Sequence, residues 1–333
     1  MPGVRGRAAG LAILLTALAT ALVVGLTLGN VRIPPGQVWS ALTGGETEPA
    51  IASIVRAIRL PRVTAGALTG AALAVSGTLF QALLRNPLAE PYLLGVSSGA
   101  AFGAVASLTL GAGALSGPAG TTVFALAGGL LAIVIVFRVA WTVGRVDPRV
   151  LILAGVVVSA FFGAGVMLLL ALSRGDAFRS AVLWTMGSLE RATWPGVAAL
   201  AGCLAVAAGV SFAMARHLNA LSLGEEAAAH LGTDVELVKR VAYFVASLAA
   251  AATVSLAGVI GFIGLVVPHA VRMIWGADHR ILIPFAMLAG AAALVLADAV
   301  AQAAARPLVL PVGVVTAVLG VPLFLVLLRR SHV

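Results

Sequence analysis

The sequence predicts an all-α polytopic membrane protein of about ten transmembrane helices, with one short helix standing outside the bilayer between two of them. Three observations carry that expectation. Of 333 residues, 61% are hydrophobic and only 10% charged, with a mean hydropathy of +1.10, whereas a soluble domain carries about a quarter charged residues. The apolar runs are continuous over about 18 residues or more, which suits helices and not the alternating strands of a barrel. Acidic residues are concentrated: Glu225, Glu226, Asp234 and Glu236, four of twelve, fall between Arg216 and Arg240.

Taken in order, apolar runs place spans near 8–29, 63–84, 92–111, 120–140, 150–172, 194–215, 238–257, 259–275, 281–300 and 311–328 within a single domain over 1–333. The first follows Arg5 and Arg7, as in a signal peptide, but it is too long for an h-region and lacks a small-residue cleavage site, so it reads as a retained span. The segment 30–58 opens with Pro34-Pro35 and Trp39, which predicts a short interfacial helix with proline at its start. Asn86-Pro87 and Glu90-Pro91 break the chain between spans two and three as a tight re-entry turn. The third span holds Gly95, Gly99 and Gly103, a doubled G-x-x-x-G that lets another helix backbone approach. A second long segment covers 173–193, flanked by Trp184 and Trp194. Gly258, Gly261, Gly264 and Pro268 interrupt spans seven and eight.

With the N-terminus inside, thirteen of the 21 Lys and Arg residues are cytoplasmic. That bias places both termini and the 222–232 helix on the cytoplasmic side. The net charge of +9 is scattered singly between apolar runs, which excludes a nucleic-acid stripe. Eight arginines remain outside, among them Arg56, Arg59 and Arg62 at the entrance to span two. Arg59 and Arg62 project together at i, i+3, and a planar guanidinium suits a carboxylate partner, although headgroup anchoring is the plainer use.

The charged stretch carries its own folding signals. Ser222 with Glu225, and Thr233 with Glu236, fit capping boxes, and Gly232 suits a left-handed helix end. Leu223, Ala227 and Leu231 share one face of the short helix, while Glu226 and His230 share another. The plainer reading is a solvated loop helix with no partner.

A series of motifs then resembles a known family. Arg59-Leu-Pro-Arg62, Gly77 to Gln81, Arg85-Asn86-Pro87-Leu88-Ala89-Glu90-Pro91, Leu94-Gly95-Val96-Ser97-Ser98-Gly99-Ala100, Gly258 to His269, Asp278-His279-Arg280 and Leu310 to Thr316 look like the FecCD-type permeases of iron-siderophore, haem and cobalamin ABC importers. The resemblance covers nearly the whole chain. It implies a homodimer of ten-helix subunits in the bacterial inner membrane, with two ATPase subunits on the cytoplasmic face and a periplasmic or lipid-anchored binding protein outside.

The same resemblance implies site residues. The ATPase-coupling contact matches Leu218, Asn219, Leu221, Ser222, Leu223 and Gly224, continuing through Glu225, Glu226, Ala227, His230, Leu231 and Gly232. Binding-protein docking matches Arg59 and Arg62, with Arg56 beside them; a third docking arginine falls at Gln302 here, and Arg306 lies one turn further on. The inner gate matches Asp147, Pro148 and Arg149, and Gly155, Ser159 and Gly163 line the path. No cofactor or metal is expected on this subunit, because ATP and Mg belong to the ATPase partner.

Two rivals stay open at this stage. A proton-coupled secondary transporter needs an intramembrane ionisable residue, for which Asp298 qualifies, with His269 and Arg272 near the inner surface. An intramembrane serine hydrolase would use Ser97 or Ser98 with His269, since Gly95 to Gly99 also fits G-x-S-x-G; that elbow requires a strand before the serine. His217, His230, His279 and His332 read as surface singletons, not metal ligands. No G-x-x-x-x-G-K-[ST] occurs, and Lys239, the single lysine, lies in the wrong context for one, so ATP hydrolysis must come from a partner.

Overall fold

The structure, a computed structural model, describes residues 4–111, 118–142, 144–306 and 308–331; His332 lies outside them. Its helices in chain order are α1 (Val4–Thr27), α2 (Pro35–Thr43), α3 (Pro49–Ser53), α4 (Leu60–Leu83), α5 (Val96–Leu110) and α6 (Pro118–Ala140). A hairpin of β1 (Trp141–Thr142) and β2 (Arg145–Val146) follows, paired antiparallel with Trp141 opposite Val146. Then come α7 (Pro148–Leu172), α8 (Gly175–Thr185), α9 (Trp194–Ala213), α10 (Ala215–Leu221), α11 (Glu225–His230) and α12 (Val235–Ala257). The chain closes with α13 (Ile263–Trp275), α14 (His279–Ala303) and α15 (Val312–Ser331). Among the described residues seven helices are long and apolar enough to cross a membrane, and three shorter apolar helices, α5, α13 and α15, complete the ten expected runs.

Helix α4 is the hub, packed between α14, α12, α13 and α9. Its small residues permit this. A Cβ at Gly70 would overlap the carbonyl of Gly290 on α14, and one at Gly77 would overlap that of Gly264 on α13. The predicted glycine seam is real at Gly99 and Gly103, which lie against Gly128 and Phe124 of α6. Gly95 departs from it: at φ 81° it caps α5 from outside and faces Val158. Gly103→Ala is expected to destabilise the protein by about 2 kcal/mol, since its methyl meets backbone that cannot yield. Thermal unfolding in detergent measures this, and an unchanged midpoint would remove the close-packing account.

Three of the span starts that differ from expectation have a local structural cause. Span two does not start at 63; the helical path runs unbroken from Pro49 to Leu83, passing through a π-turn at Ile54–Arg59. Its arginines looked like an end to the apolar run, but Arg59 and Arg62 find their partners within the fold. Span three starts at Val96, because Pro91–Leu94 forms a 3₁₀ turn. Span eight starts at Ile263, after an irregular segment from Gly258 to Phe262. These two irregular segments meet: Phe262 N donates to Glu90 Oε1 at 2.9 Å and Ile260 N to the Tyr92 hydroxyl at 3.1 Å. Non-helical backbone inside a membrane protein survives where protein groups satisfy it in this way.

The interfacial helix appears as α2, with Pro35 in its first turn and Trp39 exposed. The segment 173–193 folds α8, which the sequence reading left without structure.

Candidate functional site: a polar end with an outstanding helix

Polar contacts gather at the two ends of the bundle. At one end lie the start of α1, the turn at Arg85, the β-hairpin, α10–α11 and the start of α14. Helix α10 is anchored here by Leu218 and Leu221, both fully buried. Asn219 ties it to α14: its Nδ2 donates to Asp278 Oδ1 at 2.8 Å, and its Oδ1 accepts from His279 N at 2.9 Å. Burial alone would raise the Asp278 carboxyl. The hydrogen bonds from Asn219 and Arg280 N, with the charges of Arg280 and Arg7, outweigh it and hold the group below its usual range.

Helix α11 stands out from this end. The expected capping box at its start is absent: Gly224 is the N-cap, at φ 112°, and Ser222 Oγ instead donates back to Leu218 O at 2.9 Å. The tight turn through Gly224 puts Ser222 outside capping reach. The second box is also replaced. Asp234, not Thr233, caps α12 through Leu237 N at 3.0 Å, while Thr233 is buried against His217 Nδ1 at 3.2 Å. Gly232 does close α11 in the left-handed region at φ 78°. Thr233 N reaches Ala228 O and Gly232 N reaches Ala229 O, the paired bonds of a Schellman end.

The twelve residues of the expected contact therefore divide. Leu218, Asn219 and Leu221 face the bundle and anchor the segment, which corrects their assignment as partner-facing residues. Glu225 turns inward as well, to Lys239 and Arg85. Ser222, Leu223, Glu226, His230, Leu231 and Gly232 are exposed, with Leu223 and Leu231 at 70% and 65%; Gly224 and Ala227 are half-buried. Two open leucines thus flank α11 at a polar end.

The opposite end corrects the arginine expectation. Arg59 and Arg62 are buried, at 5% and 8% exposure, and neither projects outward. Arg59 donates to Leu26 O at 2.6 Å, to Thr27 O at 3.0 Å and to Val31 O, bracing carbonyls at the end of α1 and in the turn after it. Arg62 forms a bidentate pair with Asp298 on α14, both bonds at 2.8 Å. Gln302 Nε2 adds a third bond to Asp298 at 2.8 Å. The carboxylate that suits the guanidinium is thus in the same chain. Arg56 and Arg306 remain exposed, Arg56 steadied by Ala41 O at 2.6 Å.

At the expected gate, Asp147 caps α7 by accepting from Arg149 N at 2.8 Å, with Pro148 in the first helical turn. Gly155 does not face an open path, because a Cβ there would strike Leu93 O and Leu94. Ser159 and Gly163 lie further along on a half-open face, and Gly163 has open space before it.

The hydrolase arrangement is not assembled. Ser98 Oγ donates to Gly95 O at 3.0 Å, and Ser97 Oγ and both ring nitrogens of His269 have no hydrogen-bond partner among the described residues. A 3₁₀ turn, not a strand, precedes the serines. Sequence reasoning missed the inward contacts of Lys239, whose only signal in the sequence was its being the single lysine, inside the charged stretch.

A bundle of apolar helices around a glycine-packed hub, bearing a short exposed helix at one polar end, defines a multi-pass helical membrane protein. The chain belongs to the FecCD transport family, whose model matches residues 14–330. It is 43% identical to the cobalamin import system permease protein BtuC of Halobacterium salinarum, over 96% of this chain and 88% of that one. It is 39% identical to the hemin transport system permease protein HmuU of Yersinia pestis, over 93% and 94%. A solved metal-chelate type ABC transporter in an inward-facing conformation superposes with a TM-score of 0.84 at 30% identity, covering 97% of this chain and 99% of that one. PsaBC from Streptococcus pneumoniae, at 16% identity and a TM-score of 0.57, shares the fold.

Proposed function

We propose that the chain is the permease subunit of a binding-protein-dependent ABC importer, moving an iron chelate, haem or cobalamin inward across the cytoplasmic membrane. Two copies enclose the path, and a pair of separate ATPase subunits, which hold ATP and Mg, seat on the α10–α11 segment. Both chain termini lie on that cytoplasmic side. The observation that carries this reading is α11 itself, a short helix closed by Gly232 and flanked by the exposed Leu223 and Leu231 at a polar end of the bundle. Similarity to permeases named for cobalamin and hemin supports the substrate class. The binding protein docks at the opposite end through Arg56 and Arg306, since Arg59 and Arg62 are committed inward.

Reconstitution in vesicles with the cognate ATPase and binding protein tests this with cyanocobalamin, haemin and a ferric hydroxamate as probes. One of the three is expected to accumulate only when ATP is supplied. Accumulation driven by a proton gradient without the ATPase would favour secondary transport instead. The engagement of Asp298 by Arg62 and Gln302 argues against that rival, because both carboxylate oxygens are already bonded within the chain.

A further inference from the structure

The single lysine of the chain is nearly inaccessible, at 2% exposure, yet it lies at the polar end beside α11. An ammonium has three N–H donors, and Lys239 directs them to three different elements. It meets Val146 O of β2 at 2.8 Å, Glu225 Oε2 of α11 at 3.1 Å and, within α12, Glu236 Oε1 at 2.5 Å. Glu236 closes the figure by accepting from Val146 N through Oε2 at 2.9 Å. Arg85 approaches Glu225 at 3.6 Å, so two cations face two carboxylates.

The position matters more than the energy. Between the hairpin and α11 lies a cavity of about 430 Å³, lined by Arg85, Arg145, Val146, Asp147, Arg149 and Glu225, with Lys239 in its wall. Apolar packing therefore does not bind the hairpin to α11 across this gap. Val146 is followed directly by Asp147 and Pro148, which start α7. Displacement of α11 reaches α7 through Lys239 and β2, a shorter route than through the bilayer-spanning length of α12.

We propose that Lys239 is a positioning residue that clamps α11 to the hairpin, so that the start of α7 follows α11 as one body. The inference rests on the importer reading above, which makes α11 the element that the ATPase moves. Its removal leaves Glu225 and Glu236 without their shared cation and frees Val146 O, while Val146 N keeps its bond to Glu236.

The test uses nitroxide labels at the exposed positions Ala229 and Arg145 in a Cys203→Ala background, with the full chain in lipid nanodiscs, alone and with the cognate ATPase. In the otherwise unaltered chain the distance distribution stays single and narrow with and without ATP. In Lys239→Met it broadens about twofold, and Lys239→Arg, which keeps the charge, recovers the narrow form. Should Lys239→Met not fold, Glu236→Gln removes one charged arm and is expected to broaden the distribution as well. A pair that separates on ATP in the unaltered chain, or variants as narrow as it, overturns the clamp. Failure of the ATPase to associate with the unaltered chain overturns the importer reading instead, and the chain alone still decides the clamp.

Discussion

Leu223→Asp with Leu231→Asp is expected to abolish ATP-driven uptake while leaving the bundle folded. Both side chains are more than half exposed, so the substitutions create no cavity and bury no charge within the chain. Their energetic weight lies at the interface with the ATPase. An apolar anchor buried in a partner's cleft contributes about 2 kcal/mol, or roughly thirtyfold in affinity, and two adjacent anchors bring the loss to the limit of detection. The measurements are co-purification of the ATPase and uptake in vesicles, with the thermal unfolding midpoint as the control on folding. Undiminished association would show that α11 is a solvated loop helix. Substituting Glu225 with Glu226 is a poorer probe, because Glu225 also holds Lys239 and Arg85.

Asp298→Ala is expected to be the most destabilising single change at the opposite end. It leaves the buried guanidinium of Arg62 without its carboxylate, and Gln302 without the oxygen it donates to. Breaking a buried pair by removing one partner costs about 3–5 kcal/mol, mostly from the charge left behind. Arg62→Met in the same chain is expected to restore much of that loss, because the second substitution removes the stranded charge. A thermal double-mutant cycle reads the coupling; additive losses would mean that the pair contributes nothing beyond its separate side chains. Arg62→Glu belongs with these stability variants and is no clean docking probe, since the new carboxylate would face Asp298.

The near-absence of charge and the length of the apolar runs were sufficient for the fold class, because backbone in a bilayer has few ways to satisfy its hydrogen bonds. Gly99 and Gly103 were legible as a packing seam for a similar reason: their spacing on a helix leaves one consequence, close approach. The site was legible as a stretch but not residue by residue. Ser222 and Thr233 matched capping patterns, yet Gly224 and Asp234 took those positions once the turns were set. Arg59 and Arg62 read as outward charges because their partners, the carbonyls ending α1 and in the turn after it and the carboxylate of Asp298, lie 28 to 33 and 236 positions away in sequence.

The sequence by itself determined that this is a polytopic helical membrane protein with one short, charged, glycine-bounded helix among its long apolar ones. Those properties follow from local composition and spacing. Only the tertiary structure decided which charges are internal. Whether an arginine or a lysine meets water or a partner depends on groups far along the chain, and the three donors of Lys239 found β2, α11 and α12 only when the helices packed.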